Sequence, residues 1–131
     1  MKAAYLLNKK ILVGQVADPI PGKGQALVKT FSCGLCASDL HVVHHGKRLI
    51  EMSIEFGGPF NVELSKPVVL GHEFVGEIMD YGPGSDRPLK TGTRVTSLPA
   101  VLSPDGVGVI GLSNDFPGGF GEYMLFGVGW I

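Results

Sequence analysis

Glycine and proline divide the apolar content of this chain into stretches suited to short strands rather than long helices. Glycine supplies 20 of the 131 residues and proline 9, so glycine stands at roughly twice its usual share. Charged residues make up 18%, below the roughly 25% of an average globular domain. A turn-rich β protein fits that balance, and a chain of this length is the size of one domain with a moderate core.

The strands can be placed one by one. "KAAYLL" and "ILVGQVA" flank "NKK" as the two arms of a hairpin. After the turn signals of "DPIPGKG", the segment "QALVKTFSC" alternates as a half-buried strand does. "VVLGHEFVGEIMDYG" reads as strand again, with Gly71 and Gly76 at positions suited to a bulge or a close backbone approach. "TRVTSLP" and "PGGFGEYMLF" complete the set. One short helix is predicted from Ser38 to about His45, with Ser38 as N-cap and Gly46 as the residue that ends it. The stretch from Lys47 to Lys66 reads as a loop excursion. Seven or so strands with one or two short helices predict a mainly β fold, a partly open barrel. The apolar ending "MLFGVGWI" is expected to be covered by something.

Charge and hydropathy exclude several partners. A formal net charge of -1 gives neither nucleic acid nor an anionic membrane surface a reason to bind. No apolar run approaches the ~20 residues of a membrane span, and the first residues lack a signal peptide's apolar core. A cytoplasmic location is expected, where thiols stay reduced and a structural disulfide is not expected.

Chemistry concentrates in "CGLCASDLHVVHHG", residues 33 to 46, which holds both cysteines and three of the four histidines. The fourth histidine lies in "GHE", residues 71 to 73. Cys36, His72 and Glu73 offer a thiolate, an imidazole and a carboxylate, the ligand types of a catalytic zinc with one position left open. Other readings stand beside this one: a redox pair, which requires a βαβ setting; a structural zinc knot, which requires four ligands; and inert core cysteines with surface histidines.

"CGLCASDLH", "PVVLGHEFVGEI", "TGTRV" and "GGFGEYM", in this order and spacing, resemble the N-terminal catalytic domain of the zinc-dependent medium-chain alcohol dehydrogenases, a GroES-like barrel. The resemblance spans most of residues 1 to 126. It implies Cys36 and His72 as ligands of a catalytic zinc, with Glu73 beside the metal as ligand or in exchange with water. It implies Ser38 and His41 as a proton relay and Asp39 as the residue that steadies the zinc-binding histidine. It also implies NAD or NADP as cofactor and a small-molecule alcohol or carbonyl as substrate. For Asp39 and Ser38 the residues themselves offer a plainer role at the helix N-terminus. Cys33 is expected not to ligate, and His44 and His45 to lie exposed at the helix end.

The sequence also departs from that family. No cysteine follows the "TRV" strand, so a second, structural zinc is not expected. "GVGVIG", residues 106 to 111, fits a dinucleotide-binding glycine pattern but is followed by "LSNDFPGG", which breaks a helix. It is therefore predicted to be a glycine-rich loop or strand. The cofactor-binding domain and a further zinc ligand would lie beyond residue 131, so the chain is expected to be a fragment, inactive alone. Any homo-oligomer would belong to the longer parent. The alternative is a non-catalytic barrel, a scaffold, interaction module or remnant binding metal weakly or not at all.

Overall fold

The computed structural model describes residues 1–60, 62–103 and 106–131, with the side chain of Ser103 left aside. Asn61, within the expected excursion, and Pro104 and Asp105 lie outside the described residues. Strands β1 (Lys2–Leu7) and β2 (Lys10–Gln15) form the expected hairpin, with Leu7 opposite Lys10. Asn8 and Lys9 turn it with φ of 49° and 65°, the left-handed pair of a two-residue hairpin turn. Strand β3 (Gln25–Gly34) follows, then helix α1 (Ala37–Glu55). The rest is β4 (Val68–Val69), β5 (Glu73–Tyr81), β6 (Arg94–Val95), β7 (Ala100–Ser103), β8 (Gly106–Val109), β9 (Tyr123–Gly127) and a 3-10 turn over Val128–Trp130.

The described strands form three sheets in the orders β2-β1-β4, β6-β5-β3-β9 and β7-β8. The glycine-rich segment before β9 ties the first two together. The N–H groups of Gly118 and Phe120 donate to the carbonyls of Val69 and Leu70, at 2.8 and 3.1 Å. Ala4 donates to Phe120 and Thr30 to Glu122, both at 2.9 Å. Such backbone bonds between sheets half-close the barrel. Inside, Val28, Ile78, Met124 and Phe126 are fully buried, and Phe74 packs on Phe126 with ring centroids 4.9 Å apart. The first half of the terminal apolar run, Met124 to Gly127, lies within β9, and Val128 and Ile131 pack against this core.

Gly76 behaves as its sequence position suggests. A side chain there would meet the Lys29 carbonyl oxygen at 2.5 Å, beside the register shift between Thr30 and Ser32. The "TRVTSLP" strand keeps only Arg94 and Val95 in the ladder, and just beyond them the Thr96 hydroxyl donates to the Phe74 carbonyl at 2.8 Å. "GVGVIG" contributes β8, in a hairpin with β7, and no helix follows it.

The helix corrects the sequence reading at both ends. Its N-cap is Cys36, with extended φ and ψ of -83° and 149°, so Ser38 lies inside the first turn. At the other end the helix runs through Gly46 into the expected loop. His45 departs from helical geometry (φ -126°, ψ 15°) and kinks the axis without ending it. Gly46 is buried against Leu64 and does not cap: an added Cβ would lie a tight 3.2 Å from Leu64 Cδ1, so that side chain would have to shift slightly. The true stop is "GG" at 57 and 58. Gly57 has φ of +67°, its N–H donates to Ile54, and that of Gly58 donates to Ser53. These are the paired bonds of a Schellman ending.

Candidate metal centre

Antiparallel pairing of β3 with β5 sets Gly34 opposite Glu73. The chain leaves β3 at Gly34 and reaches the N-cap of α1 two residues later. Cys36 thus arrives beside the start of β5, where His72 and Glu73 stand. Missing side chains make the room: a Cβ on Gly34 would lie 2.7 Å from Glu73 Oε2. Gly71 holds φ of +96°, and a Cβ there would meet Cys33 Sγ at 2.8 Å and the Phe120 ring at 2.9 Å. An L side chain at 71 is opposed by both backbone strain and space.

One donor atom each of Cys36, His72 and Glu73 falls within 4.8 Å of the other two. Ligands of a tetrahedral zinc stand about 3.5 Å apart, given bonds of about 2.0–2.3 Å. The spacing of up to 4.8 Å is wider than that, so a bound ion would draw the three side chains together. Cys36 and His72 are half-buried and Glu73 is exposed, which leaves the cluster open on one side. A sulfur, nitrogen and oxygen donor in this arrangement fit a zinc ion.

Asp39 fills the plainer of the two roles considered for it, at the helix start, and also stands near His72. The carboxylate is 2% exposed. One oxygen, Oδ2, accepts from the Cys36 N–H at 3.0 Å and fixes the helix start. The other, Oδ1, accepts from the Gly71 N–H at 3.2 Å and stands 3.4 Å from His72 Nδ1. That last separation is within ion-pair reach but misses hydrogen-bond alignment, and Nδ1 is buried without a hydrogen-bond partner among the described residues. A carboxylate facing Nδ1 favours the tautomer with its proton there, which leaves a lone pair on Nε2. Nε2 lies 3.0 Å from the Ser38 hydroxyl. Because Asp39 bonds the N-cap backbone, Ser38 is free of that duty.

His41 is exposed, and with Ser38 it lines an apolar cavity against α1. His44 and His45 are also exposed, and the His45 ring lies 6.2 Å from those of His41 and His44. Cys33 packs into the wall of the main core, its sulfur against Gly71 and Gly119. Burial pushes its thiol above the ordinary value of 9.0, away from the thiolate that binds metal. Both cysteines are free. Sequence reasoning missed Leu49, Ile50 and Leu112 in the cavity wall. The available signal was the spacing of Val42, Leu49, Ile50 and Ser53, which continues one helix face beyond Gly46.

With this geometry in place, comparison with known proteins is decisive. The profile of the alcohol dehydrogenase GroES-like domain matches residues 22–130. The chain belongs to this family. It is 33% identical to the (R,R)-butanediol dehydrogenase of Bacillus subtilis strain 168, over 95% of this chain and 37% of that protein. It is 31% identical to the zinc-type alcohol dehydrogenase-like protein YphC of Escherichia coli K12, over 95% of this chain and 37% of that one. Among solved structures, the alcohol dehydrogenase of Aeropyrum pernix superposes with a TM-score of 0.75 at 28% identity, covering 99% of this chain and 38% of the other. The fold is therefore GroES-like and mainly β, as the sequence resemblance implied. The chain spans little more than a third of the length of these relatives.

Proposed function

We propose that this chain is the metal- and substrate-binding part of a zinc-dependent alcohol dehydrogenase, acting with NAD or NADP held by the remainder of a longer protein. The observation that carries the reading is the convergence of Cys36, His72 and Glu73 within 4.8 Å, with Ser38 hydrogen-bonded beside them. These three residues would hold the metal, Glu73 being the one able to yield to water. Zinc, when bound there, supplies Lewis acidity, which makes an alcohol proton labile near neutral pH or polarises a carbonyl. One catalytic zinc and no structural one is the proposed complement.

The remaining work falls to this chain's own side chains. Asp39 holds the His72 ring from behind and keeps Nε2 turned towards the cluster. The Ser38 hydroxyl turns from Nε2 to the substrate oxygen, accepts its proton during oxidation and returns it during reduction. His41, exposed and sharing the cavity wall with Ser38, passes that proton to solvent. Nicotinamide, held by the longer protein, would supply a hydride acceptor for the substrate carbon, while the proton leaves through Ser38. A small alcohol, aldehyde or ketone is the substrate. The cytoplasm, where free thiols persist, suits Cys36 as a ligand.

Metal analysis of protein purified without added zinc tests the reading. Up to one zinc per chain is expected, lost in Cys36→Ser and in His72→Ala. Absence of zinc, or binding indifferent to both substitutions, would overturn it.

A further inference from the structure

His41 and His45 stand four positions apart on α1, a separation that puts two side chains on one face of a helix, one above the other. Asp39 and Gly46 mark the buried side of this helix, and both histidines are exposed. Their ring centroids are 6.2 Å apart, with the planes inclined by 35°. The His44 ring also lies 6.2 Å from that of His45, at a steeper 55°, but adjacent residues point to different sides of a helix. None of these rings belongs to the Cys36–His72–Glu73 cluster.

We infer that His41 and His45 form a second metal site, a two-imidazole clamp for a late first-row dication such as Ni²⁺ or Cu²⁺, separate from the proposed zinc. An ion bound to both rings at about 2.0–2.1 Å holds their nitrogens roughly 3 Å apart, so binding would draw the two exposed rings together. Two imidazoles with water in the remaining positions suit the tetragonal geometry of these ions, whereas Mg²⁺ and Ca²⁺ require oxygen ligands. The surroundings add no attraction for a cation. Lys47 and Arg48 border the same surface pocket as His45, and Glu51, the carboxylate among its lining residues, is 3.8 Å from Lys47. Selectivity therefore comes from the imidazole pair. Occupancy would engage the His41 ring assigned above to proton transfer and so brake turnover; that consequence rests on the proposed relay, while the site itself does not.

Calorimetric titration of the chain with Ni²⁺ tests the inference, with Cys36→Ser and His72→Ala removing the proposed zinc cluster. One Ni²⁺ per chain is expected, lost when His41→Ala or His45→Ala is added and kept with His44→Ala, and Mg²⁺ should not bind. Should the combined variants fail to fold, the wild-type chain already loaded with zinc should take one Ni²⁺ beyond the zinc, again lost with His45→Ala. Absence of Ni²⁺ binding, or binding indifferent to His41→Ala and His45→Ala, would overturn the site. In a longer protein that carries the cofactor-binding part, Ni²⁺ should slow turnover, and His45→Ala should keep the basal rate while abolishing that effect. Nickel held by the pair without slowing turnover would overturn the brake. A chain that takes Ni²⁺ at the pair but never takes zinc at Cys36 supports the site and defeats the earlier metal reading alone.

Discussion

Oδ1 of Asp39 stands 3.4 Å from Nδ1 of His72 while accepting a hydrogen bond from the Gly71 N–H. A single buried carboxylate therefore ties the first turn of α1, the glycine bend before β5 and the imidazole of the cluster into one unit. Asp39→Ala removes bonds to two backbone N–H groups and is expected to cost about 2–4 kcal/mol in denaturant unfolding. It should also weaken zinc binding by about 10–100-fold. Asp39→Asn, which keeps one acceptor oxygen, should recover part of the stability and less of the metal affinity. Calorimetry with and without zinc separates the two effects.

The bend at Gly71 predicts a large response to a small change. Gly71→Ala must accept φ of +96° and place a methyl 2.8 Å from Cys33 Sγ and 2.9 Å from the Phe120 ring. Strain and overpacking together should cost about 3 kcal/mol or more, measured as a fall in the denaturation midpoint. Gly129→Ala is the control, because nothing lies within 4 Å of an added Cβ there.

Ser38 should separate chemistry from binding. Its hydroxyl is not used to cap α1, so Ser38→Ala is expected to cost no more than the hydrogen bond to His72, about 1 kcal/mol, and to leave zinc content unchanged. In a longer protein that carries the cofactor-binding part, the same substitution should lower kcat by about 10²–10⁴-fold. A His41→Gln variant should behave alike but respond to added imidazole buffer, which can replace a solvent-facing proton carrier.

Cys33 should be distinguishable from Cys36 by reactivity. Burial keeps its thiol neutral beyond the ordinary value of 9.0, so alkylation by iodoacetamide at pH 8 is expected to be slow there. Peptide mapping after a short exposure should find label at Cys36, and zinc should protect that position. Cys33→Ser should leave zinc content unchanged.

The sequence made the β architecture readable because its punctuation is local. Asn8 and Lys9, the "DPIPGKG" turn and Gly76 each act on their immediate neighbours, and each has the predicted effect. The end of α1 was hidden because Gly46 carries two opposite meanings. In sequence it looks like a helix stop; in the fold its lack of a side chain admits Leu64, a contact 18 positions away that no local pattern records. Likewise Ser38 looks like an N-cap until Asp39 is seen holding the Cys36 N–H. The meeting of Cys36 with His72 and Glu73 was suggested by residue chemistry and family likeness. Its physical cause, the pairing of Gly34 with Glu73, is long-range and invisible to spacing. The apolar cavity depends on the unforeseen half of the helix and could not be read at all.

Cobalt substitution tests the metal centre most directly. Chain loaded with one equivalent of Co²⁺ should show a thiolate-to-cobalt charge-transfer band with the intense visible absorption of tetrahedral coordination. The charge-transfer band should vanish in Cys36→Ser and persist in Cys33→Ser, and the visible absorption should collapse in His72→Ala. A spectrum without thiolate character, or one unchanged by Cys36→Ser and His72→Ala, would contradict coordination by this cluster.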